Sequence, residues 1–164
     1  MSEIEKRIVL NLNYCIGCQS CAAACWQGHH QQSRLFHGEI KGLALLPLNC
    51  RQCEEPACVN ACPADALKKG EDGIVRRRSM LCVGCLSCVY ACPFGVMEAV
   101  LSKHISPNCD LCQDRLSQGK EPRCVVSCVS GALRFAPLSE VFGEDKRELQ
   151  VGARVISKSL LKRS

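Results

Sequence analysis

Sixteen cysteines in a chain of 164 residues fall into four quartets: Cys15-Cys18-Cys21-Cys25, Cys50-Cys53-Cys58-Cys62, Cys82-Cys85-Cys88-Cys92 and Cys109-Cys112-Cys124-Cys128. The first and third have the spacing C-x2-C-x2-C-x3-C, and the x3 gap closes all four. Three thiolates set two residues apart wrap one cubane, so the spacing predicts [4Fe–4S] clusters, and sixteen thiolates provide for four of them. The chemistry such groups carry is one-electron transfer. Zinc is the main competitor, because C-x2-C pairs also build tetrahedral sites. A zinc ribbon uses two pairs separated by a longer loop, however, and C-x2-C-x2-C is a cubane pattern.

The x3 gap places the fourth cysteine of each quartet about one helical turn, ~5.4 Å, beyond the third. That thiol points away from the first cluster and towards a second. In bacterial two-cluster ferredoxins it ligates the other cluster. Applied to the two inner quartets, the rule gives cluster 3 to Cys50, Cys53, Cys58 and Cys92, and cluster 4 to Cys62, Cys82, Cys85 and Cys88. The same x3 gap in the outer quartets suggests cluster 1 on Cys15, Cys18, Cys21 and Cys128, and cluster 2 on Cys25, Cys109, Cys112 and Cys124.

The elements that must hold these loops are short. Pro63 to Lys69 reads as a helix ended by Gly70, Glu71-Asp72-Gly73 as a turn, and Ile74 to Arg77 as a strand. That is half of a bacterial two-cluster ferredoxin, and the next quartet starts the other half. Residues 49–99 are expected to form an inner two-cluster module, and residues 1–48 plus 100–164 an outer one. The expected fold class is α+β: two ferredoxin-like two-cluster modules, one inserted in the other, with little regular secondary structure. Asp110 to Leu116 has helix-compatible spacing, and Gly119 to Pro122 makes a turn inside the long gap of the fourth quartet. The tail from Glu144 is expected as a helix or strand on the surface, or as an arm to a partner.

Composition fits this reading. The hydrophobic fraction of 47% counts the sixteen cysteines, and only one Trp, two Tyr and four Phe are present. Clusters should therefore replace side chains as core filling, and the apo chain is expected to be largely unfolded. The formal charge of +5 becomes about −3 once sixteen thiolates and four oxidised cores of charge +2 are counted. Basic residues such as Arg51, Lys68 and Lys103 then read as counter-charges. The Arg76-Arg77-Arg78 run does not suggest nucleic acid, because stacking aromatics are too few for a single-strand groove. Ile8-Val9-Leu10 is too short for a signal peptide, and no apolar run approaches the ~20 residues that span a bilayer. A reducing cytoplasm is the expected setting, where paired cysteines read as metal ligands rather than disulfides. His29, His30, His37 and His104 are expected as solvated loop residues, and Trp26 as a shield for a cluster. Neither a nucleotide motif nor a nucleophile paired with an acid or base is visible.

The chain from Tyr14 to Phe135 resembles the sixteen-cysteine iron–sulfur electron-transfer subunits of molybdopterin and tungstopterin oxidoreductases. The resemblance rests on Asn13-Tyr14-Cys15-Ile16-Gly17-Cys18, on Cys50-Arg51-Gln52-Cys53-Glu54-Glu55-Pro56-Ala57-Cys58, on Asn108-Cys109-Asp110-Leu111-Cys112-Gln113-Asp114-Arg115-Leu116, and on Gly131-Ala132-Leu133-Arg134-Phe135. It implies four [4Fe–4S] clusters, the exchanged ligand sets in both halves, and a non-catalytic subunit of a multi-subunit complex. The subunit would relay electrons between a catalytic subunit and a second redox protein. The catalytic partner expected from it is a tungsten- or molybdenum-pterin aldehyde or formate oxidoreductase. A freely diffusing polyferredoxin and a subunit of a hydrogenase or carbon monoxide dehydrogenase are the alternatives. Some relatives stack end to end, so self-assembly into a filament is also in view. Without a membrane-spanning segment, a soluble complex is expected.

Overall fold

Ile8, Val9 and Leu10 are almost fully buried, with 3%, 1% and 2% of their surface exposed. They form the middle of β1 (Lys6–Asn11), the central strand of a three-stranded antiparallel sheet in the computed structural model. Residues 5–40, 44–97, 108–137 and 148–150 are described. Consecutive burial is what a central strand covered on both faces requires. Ile8 and Leu10 join the main core, while Val9 turns to the other face and meets Ala136.

Chain order continues with α1 (Ser20–Gly28), the hairpin strands β2 (Phe36–Ile40) and β3 (Ala44–Leu48), and α2 (Ala57–Asn60). The hairpin strands β4 (Leu67–Lys69) and β5 (Val75–Arg77) follow, then α3 (Ser87–Ala91). The short helices α4 (Gln113–Leu116) and α5 (Arg123–Val126) precede β6 (Leu133–Pro137) and β7 (Glu148–Gln150). The large sheet runs β6-β1-β7, with Ile8 opposite Phe135 and Leu10 opposite Leu133. The first strand is therefore closed by the segment that follows the last cysteine quartet. Helix α1 of the first quartet packs on α5 of the fourth, and α2 of the second on α3 of the third.

The architecture is mixed α and β with little regular structure; α1, at nine residues, is the longest helix among those described. The expected helix over Pro63–Lys69 does not form. Asp65 takes a left-handed φ of 50°, Ala66 N–H turns back onto Cys62 Sγ at 3.3 Å, and Leu67–Lys69 pairs with β5 as a strand. A seven-residue helix is marginal without tertiary support, and here the hairpin buries Leu67 and Val75 to 2% and 1% exposure. The Gly70–Gly73 turn is closed by Asp72, whose Oδ1 accepts the Ile74 N–H at 3.2 Å. The expected helix over 110–116 shortens to α4, behind Leu111 and Cys112, which both have positive φ. Of the tail, Glu148–Gln150 pairs with β1; the remainder lies outside the described residues.

The main core contains Cys21, Cys25 and Cys124 beside Ile8, Leu10, Leu35, Leu111 and Leu133. Thiols thus occupy places that aliphatic side chains fill in an ordinary domain of this size. No described helix is long and apolar enough to cross a membrane.

Candidate metal centres

Each quartet begins with a loop that must turn sharply, and the backbone records how. The residue before the second cysteine has a left-handed φ in all four quartets: Gly17 at 67°, Gln52 at 54°, Gly84 at 67° and Leu111 at 58°. A left-handed residue set among right-handed ones turns successive N–H groups inward and makes a concave nest for anions; the fourth quartet departs from this, because Cys112 is left-handed as well. Glycine supplies this geometry without strain in the first and third quartets. The second and fourth use Gln52 and Leu111, each 2% exposed and held by packing.

Two cavities are bounded by cysteines drawn from two quartets each. One is lined by Cys15, Cys18 and Cys21 together with Cys128; Leu10, Pro47 and Leu133 complete its apolar wall. The other is lined by Cys82, Cys85 and Cys88 together with Cys62, with Leu67, Val83 and Arg77 around them. Among the remaining eight, Cys25 lies near Cys112, and Cys124 faces Cys109, Cys112 and Cys25. Cys58 faces Cys50, Cys92 and Cys53. Among the described residues no three His, Cys, Asp or Glu side chains converge closely enough to grip one ion. The thiols ring spaces instead, which suits a multinuclear cluster and not the point-like zinc site.

Donors to sulfur reinforce this fit. Three of the quartet-closing cysteines each accept a backbone N–H: Cys25 from Arg34 at 3.3 Å, Cys62 from Ala66 at 3.3 Å and Cys128 from Leu133 at 3.4 Å. Arg77 donates to Cys88 Sγ at 3.3 Å, and Asn49 to Cys109 Sγ at 3.5 Å. Two hydroxyls also pair with sulfur: Ser20 lies 3.2 Å from Cys18 Sγ, where either atom can donate, and Ser87 Oγ accepts from Cys85 Sγ at 3.4 Å while that thiol keeps its proton. Anionic sulfur is an acceptor only, so this surplus of donors matches ligated thiolate better than free thiol.

The thiols divide by environment. Burial pushes Cys21 up to about 11, and Cys58 and Cys109 up to about 12, with neighbouring thiols adding to the effect. Cys124 is raised by burial and then by Cys109 and Cys112. The exposed Cys18 and Cys85 are lowered instead, first by the Ser20 and Ser87 hydroxyls. Thiols that resist ionisation when the site is empty give up protons when iron binds, so cluster insertion and proton release are linked.

Several side chains take roles that their sequence context does not announce. His29 is only 9% exposed, with Nε2 3.6 Å from Cys112 Sγ, and burial followed by the Arg34 charge keeps its pKa below the usual value. His37 Nε2 stands 3.9 Å from Cys21 Sγ. Only His30 is the exposed loop residue expected; His104 lies outside the described residues. Trp26 is 49% exposed and lines an open groove with Cys18. Arg51 stacks over the Phe94 ring at 4.1 Å. Arginines stand against thiols, Arg77 at Cys88, Arg123 at Cys112 and Arg34 beside Cys25, whereas Lys68 is exposed and Lys103 lies outside the described residues. The buried amides of Asn49 and Gln52 and the partly buried Asn108 lie between quartets two and four, in roles that the spacing does not announce. Nothing in their local pattern distinguishes them from surface amides, except that each asparagine directly precedes the first cysteine of its quartet.

Two family models, both described as a 4Fe-4S dicluster domain, match residues 42–138 and 7–63. The protein is 34% identical over 149 residues to the B subunit of anaerobic dimethyl sulfoxide reductase from Escherichia coli K12, covering 77% of this sequence and 71% of that one. It is 36% identical over 141 residues to the B subunit of polysulfide reductase from Wolinella succinogenes, covering 78% and 74%. It is 35% identical over 151 residues to the putative electron transport protein YsaA of Escherichia coli K12, covering 84% and 94%. Two dicluster domains and sixteen cysteines make the complement four [4Fe–4S] clusters. With cavities ringed by thiols and relatives that are the B subunits of reductases, the chain belongs to the iron–sulfur subunit family of the molybdopterin oxidoreductases.

Proposed function

We propose that this chain is the non-catalytic electron-relay subunit of a molybdopterin oxidoreductase complex. It passes single electrons between a catalytic subunit and a second redox protein. The observation that carries the reading is the composition of the two cavities, each bounded by three cysteines of one quartet and the closing cysteine of another. On that basis cluster 1 belongs to Cys15, Cys18, Cys21 and Cys128, and cluster 4 to Cys62, Cys82, Cys85 and Cys88. By the same exchange cluster 2 belongs to Cys25, Cys109, Cys112 and Cys124, and cluster 3 to Cys50, Cys53, Cys58 and Cys92. Clusters 1 and 2 make the outer module, residues 1–48 plus 100–164, and clusters 3 and 4 the inner one, residues 49–99.

Neighbouring thiols supply an order. Cys124 is next to Cys21, Cys109 next to Cys50, and Cys58 next to Cys88. These adjacencies support a line running 1-2-3-4. Both ends carry exposed apolar surface: Ile16 at 69% and Val129 at 74% near the first, Met80 at 97%, Val83 at 69% and Tyr90 at 82% near the last. An exposed cysteine sits at each end, Cys18 and Cys85. Apolar surface rimmed by polar groups is the usual mark of a docking face, so each end serves one redox partner.

Relatives named for dimethyl sulfoxide and polysulfide reduction make a reductase of that kind the best-supported catalytic partner. The tungsten- or molybdenum-pterin aldehyde or formate oxidoreductase expected from sequence is the finer alternative, and the names of these relatives lend it no support. The cytoplasm is the proposed location. EPR tests the ligand sets: Cys25→Ser should damage the signal that Cys109→Ser damages. Damage to the signal lost with Cys15→Ser would overturn the exchange. Anaerobic purification from native extract with molybdenum and tungsten analysis tests the partner. A defined complex carrying one of these metals supports the proposal. A lone ~18 kDa species would favour a diffusing carrier, and a large heterogeneous peak the filament.

A further inference from the structure

Between quartets two and four lies a small buried seam of amides. Asn49 directly precedes Cys50, yet its Nδ2 donates to Cys109 Sγ at 3.5 Å. Asn108 directly precedes Cys109, yet its Nδ2 points to Cys50 Sγ at 4.0 Å while donating to the Val75 carbonyl at 2.5 Å. The two reach past each other to the sulfur beside the opposite asparagine. Asn49 is 2% exposed, and the Oδ1 atoms of both residues are buried with no hydrogen-bond partner. An amide buried at that cost is oriented by its NH2 end. A ligating thiolate is an acceptor, which fixes the NH2 rather than the carbonyl towards sulfur. Quartets one and three have Tyr14 and Leu81 at the equivalent place, so the arrangement is confined to the middle of the line.

We propose that Asn49 and Asn108 form a reciprocal clasp in which each positions a donor on the cluster ligand across the seam, so that each central cluster's ease of reduction is set by the loop of the other. The inference rests on the cluster reading above. Reduction adds negative charge to a cluster and its sulfurs, and a donor to sulfur stabilises that state, raising the potential. The crossing also joins the two sites along the chain: the peptide of Cys50 continues into Asn49, whose side chain meets Cys109, and the reciprocal path runs from Cys109 through Asn108. Both are positioning residues and touch no substrate.

The test is a set of reduction titrations followed by EPR on the anaerobically purified, cluster-loaded protein. The signals are first assigned with Cys109→Ser and Cys50→Ser. Asn49→Leu should make the cluster lost in Cys109→Ser harder to reduce by about tenfold, ~59 mV for a one-electron couple, and leave the cluster lost in Cys50→Ser unchanged. Asn108→Leu should do the reverse, with a smaller shift because its amide is farther from sulfur and shared with Val75. Where a Leu variant fails to load, Asn49→Ser and Asn108→Ser, too short to reach across, replace it with the same expectation. Uncrossed shifts, in which each substitution moves the cluster of its own sequence neighbour, overturn the proposal, and so does the absence of any shift. Failure of the ligand exchange is separate. It would appear as Cys25→Ser and Cys109→Ser damaging different signals, and it leaves the crossed-shift test readable.

Discussion

Replacing Gln52 with leucine should loosen the join between the second and fourth quartets more than any other single change of similar volume. Gln52 is 2% exposed; its Oε1 accepts the Val75 N–H at 2.7 Å and its Nε2 donates to the Cys109 carbonyl at 2.5 Å. Leucine fills about the same space but leaves two buried backbone groups without partners. Each such orphan costs ~1–3 kcal/mol, so the variant should lose about 2–6 kcal/mol. The left-handed φ of 54° is common to both side chains and cancels. Gln52→Gly separates the contributions: it loses the same hydrogen bonds but sheds the left-handed cost of ~1–2 kcal/mol, and should fall between wild type and Gln52→Leu. The assay is loss of cluster absorbance near ~400 nm in guanidinium, under argon. Cluster loss is irreversible, so rates are compared at one denaturant concentration. On the proposed cluster order, escape of the two central clusters needs this seam open. A loss of ~4 kcal/mol realised at that barrier then speeds bleaching by up to about a thousandfold, and at least tenfold is expected. A leucine variant that bleaches at the wild-type rate would refute the reasoning, and so would one slower than the glycine variant.

Asp72→Asn should destabilise the β4–β5 turn, because the carboxylate binds Arg76, accepts Gln113 Nε2 at 3.0 Å and is held below the usual carboxylate pKa chiefly by Arg76. A depressed folded-state pKa means its stabilisation is present at neutral pH and lost as pH falls, so the gap between wild type and variant should close only below about pH 3.9. A gap that persists unchanged at lower pH would contradict this. Gly84→Ala has open space for the new Cβ but a φ of +67°; bleaching should quicken by the equivalent of ~1–2 kcal/mol with the EPR spectrum retained, and loss of a cluster signal would count against a purely conformational cost. Removal of iron by an anaerobic chelator should abolish the far-UV signature of the β6-β1-β7 sheet, since the core beneath it contains Cys21, Cys25 and Cys124. A sheet that survives iron removal would show that aliphatic packing suffices.

Cysteine spacing made the loops legible because two-residue gaps and the x3 gap are local geometry, and local geometry survives in a string of letters. Turn chemistry was legible for the same reason at Glu71-Asp72-Gly73 and the strand after it. What escaped was non-local. Ile8-Val9-Leu10 is too short to announce a strand, and it becomes one because Leu133–Pro137 lies beside it. Leu67–Lys69 carries helix-compatible letters, but pairing with Val75–Arg77 outweighs propensity across three residues. His29 and the amides of Asn49, Gln52 and Asn108 acquire their roles only by meeting sulfur or backbone from distant loops. No spacing rule encodes such a meeting.

The pairing of Lys6 with Pro137 also has a consequence for how the protein is made. The earlier of the two strands has to wait for a partner about 130 residues later, on the order of ten seconds at roughly 5–20 residues per second. During that interval its aliphatic residues lack their partner strand, and the second and third quartets are both made before it closes. On the proposed ligand sets, maturation then has a built-in sequence, in which the inner pair of quartets is complete before the outer pair can close. Until Leu133–Pro137 emerges, that strand and the first quartet lack the partner that covers them.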